Sequence, residues 1–177
     1  YAGIGGRILQ ELGASVTVLP GGEIFQALEK GAIDASEFSL PTVDKQLGFN
    51  RVAKYNYFPG WHQPFAAFHL IVNKEKWDEI SDADKKLIDL TCQAAVARNL
   101  SRSEAFQGQA IKYLEENGAE TRKLPEPVLR ELEKVTQTVL QSEADKDADF
   151  SKVWESQKAF QDQYQVWQDL GYLPRDF

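Results

Sequence analysis

Between residues 22 and 41 the chain runs Gly22-Glu-Ile-Phe-Gln-Ala-Leu-Glu-Lys-Gly31, then Ala-Ile-Asp-Ala-Ser-Glu37-Phe38-Ser-Leu-Pro41. This succession limits the fold more than any other stretch. Ile24, Phe25, Ala27 and Leu28 recur at helical spacing, which predicts an amphipathic helix over residues 23–30. Gly31 is suited to stop it. Residues 32–36 then read as a short buried strand ending in the carboxylate of Glu37. Upstream, Ile4, Ile8, Leu9 and Leu12 predict a helix over residues 1–13, closed by Gly13. Ser15-Val-Thr-Val-Leu19 alternates and is β-branched, so it reads as a strand leading into a turn at Pro20-Gly-Gly22. Helix, strand, helix and strand in succession imply parallel pairing through right-handed crossovers. Ligands of such sheets sit beyond the carboxyl ends of the strands, where Glu37 and Phe38 fall.

Residues 41–50 read as a short helix or turn. Residues 51–58 are strand-like, with Tyr55, Tyr57 and Phe58. Pro59-Gly-Trp61-His62-Gln63-Pro64 forms an aromatic turn, and residues 65–72 are a second strand-like run. Near Lys74 the composition changes to charged, helical sequence. Ser81-Asp-Ala-Asp84 resembles a capping box with Asp in place of Glu. The helix it opens is expected to reach Asn117-Gly118, with a break near residues 100–103 or at Gly108. Val128, Leu132, Val135 and Val139 share a face of the next helix. Phe150, Val153, Trp154, Gln157, Phe160, Tyr164 and Trp167 follow at three- and four-residue steps, and Gly171 and Pro174 end that helix. This aromatic stripe has two readings, a core face or a surface for a partner helix, as in a homodimer. The expected class is α/β: residues 1–72 an α/β ligand-binding lobe, residues 73–177 a helical segment.

Charge removes some functions. At a net charge of −7 with no basic block, a nucleic-acid footprint or an anionic membrane surface is a poor fit. No window approaches 18 consecutive apolar residues, so no membrane-inserted helix is expected. The single cysteine, Cys92, forms no intramolecular disulfide and is expected to be a small packed residue. Gly3, Gly5 and Gly6 suit either close helix packing or an anion at a helix start; no Gly-Lys-Ser/Thr follows, so the P-loop reading fails.

Glu37 is either a cap for the segment beginning near Pro41 or a ligand-facing group. Asp34 reads as a local cap or turn residue. His62 and His69 are the only histidines, and they lack the spacing of a zinc site. No nucleophile elbow is present. Trp61 suits a cleft wall or a core plug. One reading makes Glu37 and His62 the base and acid of an enzyme acting on a small carbonyl acid.

The run from Pro20 to Phe38 resembles the signature of the periplasmic substrate-binding proteins of TRAP transporters, the DctP-type family. Tyr57-Phe-Pro-Gly-Trp-His-Gln-Pro64 resembles the branch that takes 2-oxo acids and related small carboxylates. The resemblance covers most of residues 1–80. It implies a two-lobed clamshell that captures a small organic acid in the periplasm of a Gram-negative bacterium, for delivery to membrane permease subunits. It also implies a bridging sodium or calcium ion. Glu37 would give the ion a side-chain carboxylate, and Phe38 a backbone carbonyl as well as a ring against the ligand, where the branch usually has Trp. Gln63 stands where the branch usually has Glu, which removes a negative charge from the ion's surroundings. Trp61 would line the ligand. The family's carboxylate-binding arginine precedes the position of Tyr1, and Arg7 does not match it. The chain therefore resembles the C-terminal half of a longer protein, holding one wall of a cleft and expected to bind ligand weakly or not at all by itself.

Overall fold

In the computed structural model residues 3–63 and 66–174 are described. They form two units, Tyr1–Val18 with Pro125–Phe177, and Leu19–Leu124. These packing units group the chain differently from the division at residues 72 and 73 drawn from composition. The class is a helix-rich α/β fold with one small sheet.

In the first unit, helix α1 (Gly3–Glu11) packs on α6 (Glu126–Ala144), which packs on α7 (Ala148–Gly171). Ile8 lies at the centre at 2% exposure, with Leu132, Val139, Ala144 and Trp154 also buried. The helical spacing of Leu132 and Val139 puts both on one face. Arg7 donates to the carboxylate of Glu143, which also pairs with Lys146 at 3.0 Å. Arg7, then Lys146, hold the Glu143 carboxyl below its usual range. The Asp147 side chain caps α7, accepting from the amide of Phe150 at 2.8 Å. Of the aromatic stripe only Trp154 is buried; Phe160 and Trp167 stay more than half exposed. The core reading therefore holds for the first turns of α7 and fails beyond them. A 24-residue helix extends about 36 Å, more than the 19 residues of α6 can cover.

The second unit contains α2 (Gly21–Glu29), α3 (Pro41–Leu47), β1 (Tyr55–Phe58), α4 (Lys74–Glu79), α5 (Asp82–Glu116) and β2 (Glu120–Lys123). Gly31 and Gly48 follow α2 and α3 at φ of 66° and 73°, left-handed conformations that a side chain disfavours. Strands β1 and β2 pair in parallel, Tyr55 opposite Glu120 and Phe58 opposite Lys123, with α4 and α5 in the connection. Parallel pairing was expected, but between other segments. Residues 14–20 and 35–40 have no regular structure, and neither does 66–73; Phe65, the start of that run, lies outside the described residues, as do Tyr1, Ala2 and Pro64. β-Branching is a local preference, whereas a ladder needs a partner within reach. β2, with the sequence Glu-Thr-Arg-Lys, gave no apolar signal; its ladder holds it, Glu120 donating to the Lys54 carbonyl and Leu124 to that of Phe58, both at 2.7 Å.

The 35-residue helix α5 runs unbroken through Gly108, contrary to the expected interruption; one interior glycine costs only about 1 kcal/mol. Ser81 caps it as expected, accepting from the Asp84 amide at 3.1 Å and donating to the Asp84 carboxylate at 2.6 Å. Its C-terminal end carries the core, with Ala110 and Leu114 buried. There Gln107 ties α5 to α3, accepting from the Thr42 amide at 3.1 Å and donating to its hydroxyl at 3.3 Å. Cys92 is exposed on α5, so the expectation of a packed cysteine is not met: the turn that carries it faces no core.

Candidate functional site

The site begins in residues 35–40, a segment without regular structure, where Glu37 and Phe38 have different partners. Phe38 turns inward: its ring lies 5.2 Å from that of Phe49, which lies 6.3 Å from Phe25. Phe49 is only 9% exposed. A Cβ on Gly21 would come within 3.2 Å of the Phe38 ring, so the bare glycine lets α2 approach it. The Phe38 ring is half-buried in this packing.

Glu37 meets the aromatic turn. Its Oε2 lies 3.7 Å from Nε2 of His62, with side chains 40% and 12% exposed respectively. The Trp61 ring meets the His62 imidazole edge-on at 4.7 Å between centroids. Carboxylate, imidazole and indole, separated in sequence by 24 residues at most, thus form one row. The peptide between Phe58 and Pro59, just before them, is cis. Gln63 follows directly and is exposed; Asp34 and His69 are exposed too.

Asp44 in α3 was not singled out by the sequence. Its Oδ1 is buried without a hydrogen-bond partner. Burial, and then the nearby charge of Glu37, push its carboxyl up from 3.8 to about 6. A folded-state value above the unfolded one means that the folded protein binds the extra proton. Stability contributed here is present below about pH 4 and is lost as pH rises through about 6. Partial exposure screens the penalty, so Asp44→Asn is expected to stabilise the chain by about 1 kcal/mol at pH 7 and by almost nothing at pH 4. Thermal melts at the two pH values check it, with a gain of about 2–4 °C at pH 7 only.

Hard cations take oxygen donors, and Glu37, Phe38 and Gln63 bear a carboxylate, a backbone carbonyl and a side-chain amide oxygen. Among the described residues no group of three or more His, Cys, Asp or Glu side chains could hold a metal alone. A cation here would therefore rely on carbonyl and amide oxygens and on oxygens of the captured molecule.

The chain belongs to the bacterial extracellular solute-binding protein family 7, DctP, whose profile matches residues 2–147. It is 33% identical, over 97% of its length and 47% of the relative's, to a monocarboxylate 2-oxoacid-binding periplasmic protein of Nostoc. It is 30% identical, over 62% of its length and 32% of the relative's, to a solute-binding protein of Chromohalobacter salexigens. The chain thus spans about half or less of the curated relatives it matches. Three solved structures of TRAP solute-binding proteins are similar. One from Bordetella bronchiseptica, 34% identical with a TM-score of 0.87 over 94% of this chain and 50% of that one, is a mixed-occupancy dimer with calcium and picolinate. One from Colwellia psychrerythraea (29%, TM-score 0.85, 95% and 52%) holds calcium and pyruvate. One from Pseudoalteromonas atlantica (30%, TM-score 0.83, 93% and 50%) holds sodium and pyruvate. The family and these neighbours are solute-binding proteins. Among the described residues no helix is long and apolar enough to cross a membrane.

Proposed function

We propose that this chain carries part of the ligand site of a periplasmic TRAP-transporter receptor for small 2-oxo or 2-hydroxy carboxylates, which it delivers to membrane permease subunits without turnover. The observation that carries this reading is the exposed Glu37 carboxylate beside His62 and Trp61, in a family whose similar structures hold pyruvate or picolinate with a cation. An acidic residue in a site for an acid needs a positive charge between the two, or burial of both becomes costly. A sodium or calcium ion held by Glu37, the Phe38 carbonyl and the Gln63 amide would supply that charge. Trp61 offers an apolar wall to the ligand's carbon skeleton. The Leu19–Leu124 unit, which carries Glu37, Phe38, Trp61 and Gln63, then forms one side of the cleft.

The test is a thermal-shift screen of pyruvate and related 2-oxo and 2-hydroxy acids, with calcium, with sodium and without added cation. It is run on a chimera in which this chain replaces the matching half of the Nostoc protein. A saturating ligand at 100 times its Kd adds about 2.7 kcal/mol and should raise the melting temperature by several degrees. No shift with any acid in a folded chimera, or turnover of pyruvate, would overturn the reading.

The exposed rings of α7, Phe160 and Trp167, support a homodimer through the C-terminal helix. Trp154 is buried and is left intact. The double variant Phe160→Ala, Trp167→Ala is expected to shift the mass in light scattering from dimer to monomer. An unchanged mass would count against this face.

A further inference from the structure

Glu37 stands in a segment without a helix or ladder of its own, so its place is set by its neighbours. The next element along the chain is α3, which begins directly after Leu40. A helix of seven residues is too short to hold itself in water, and Leu40, at its N-cap, gives no side-chain cap. The amides of its first turn can be followed one by one. Pro41 has no N–H. Those of Val43 and Asp44 turn back to the Leu40 carbonyl at 2.8 and 3.1 Å. That of Thr42 donates to Gln107 Oε1 at 3.1 Å, from α3 across to α5. Gln107 Nε2 donates to the Thr42 hydroxyl at 3.3 Å and to the Ser103 carbonyl at 2.7 Å. Both ends of the carboxamide are thus engaged, which fixes its orientation. Gln107 is half-buried, one turn before the buried Ala110 of α5. Two exposed ties lie further along α5: Lys45 Nζ stands 4.2 Å from the Tyr113 ring centre, and Asn50 donates to the Asn117 carbonyl at 3.1 Å.

We propose that Gln107 is a positioning residue for ligand capture: from α5 it supplies the cap that α3 lacks, and through α3 it sets where Glu37 stands. The path is short, from Thr42 to Leu40 and back along the chain to Glu37. Beyond the other end of α3, Phe49 packs against the Phe38 ring at 5.2 Å and closes the loop. Apolar packing of that kind is non-directional, whereas the Gln107 bonds carry direction. The proposal deepens the receptor reading and rests on it, since Glu37 is the group being placed.

In the Nostoc chimera, Gln107→Met keeps the side chain's length and removes its polar atoms. The Kd for pyruvate at fixed calcium should rise about tenfold in titration calorimetry, with the stoichiometry unchanged. A residue that served stability alone would lower the melting temperature or the binding-competent fraction and leave the Kd where it was. Leu40 has φ −86° and ψ 154°, the extended backbone of an N-cap residue. Leu40→Asn in the Gln107→Met background gives the Thr42 amide a local acceptor and should bring the Kd back to within about threefold of the parent. A Kd unmoved by Gln107→Met, or a loss that Leu40→Asn does not restore, overturns the proposal. Should Gln107→Met not fold, Thr42→Val, which removes one of the two bonds between the residues, takes its place with a rise of about threefold expected; an unchanged Kd again overturns it. A second measurement needs no ligand. In the 177-residue chain, Gln107→Met should let the Thr42 amide exchange about tenfold faster and move the amide resonances of Glu37 and Phe38, with those of α6 unchanged. Faster exchange at Thr42 without movement at Glu37 and Phe38 overturns the proposal. A folded parent chimera that binds no acid counts against the receptor reading instead, and the resonances then decide the placement of Glu37.

Discussion

Phe49→Ala is expected to cost the Leu19–Leu124 unit about 3–4 kcal/mol, the usual penalty for emptying a buried aromatic site. Phe49 is the shared neighbour of Phe25 and Phe38, so its removal leaves a void between α2 and the extended segment that carries Glu37. Urea titration of the parent and the variant, read by far-ultraviolet circular dichroism, measures the difference in midpoint at constant slope. Phe49→Leu keeps most of the volume and should lose about 1 kcal/mol. A loss below about 1 kcal/mol in the alanine variant would mean that the three rings are not one cluster. The same void should weaken ligand capture in the chimera, because Phe38 would no longer hold the backbone that presents its neighbour.

Glu37→Gln should reduce cation-dependent capture of pyruvate by about 100-fold or more, equivalent to about 2.7 kcal/mol. The substitution keeps the size and one oxygen donor and removes only the charge, so the melting temperature without ligand should hardly move. Titration calorimetry of the chimera with pyruvate, at fixed calcium and again without it, separates the two effects. The variant's affinity should no longer respond to calcium. His62→Gln, which alters the imidazole 3.7 Å away while leaving the carboxylate in place, should cost about tenfold. Calcium dependence that survives Glu37→Gln unchanged would remove Glu37 from the cation's ligand set.

Helices were legible in the sequence because their signals are local. The spacing of Ile8 on α1, the Ser81 cap of α5 and the Leu132–Val139 face of α6 each lie within a few turns. Strands were legible only in part: Tyr55–Phe58, within the strand-like run 51–58, forms β1, but its pairing is decided by a distant partner. Residues 15–19 have stronger β propensity than Glu120–Lys123, yet the latter form β2. The stripe on α7 was legible as a stripe, but its burial depends on what faces it, and past Trp154 it is exposed. At the candidate site, Glu37 and Trp61 stood out through motif resemblance; composition and periodicity left both open. The inward turn of the Phe38 ring and the buried Asp44 oxygen had no sequence signal, since both depend on where Phe49 and α3 pack.

The ring packing of Phe38 next to Glu37 has a further consequence. A charged side chain is commonly oriented by hydrogen bonds, which occupy its lone pairs and weaken its hold on anything else. Here the neighbouring phenyl ring, wedged among other rings, can help set the bearing through the main chain. Packing then adds to the imidazole 3.7 Å away in fixing where the carboxylate sits, so less of its lone-pair capacity goes to orientation.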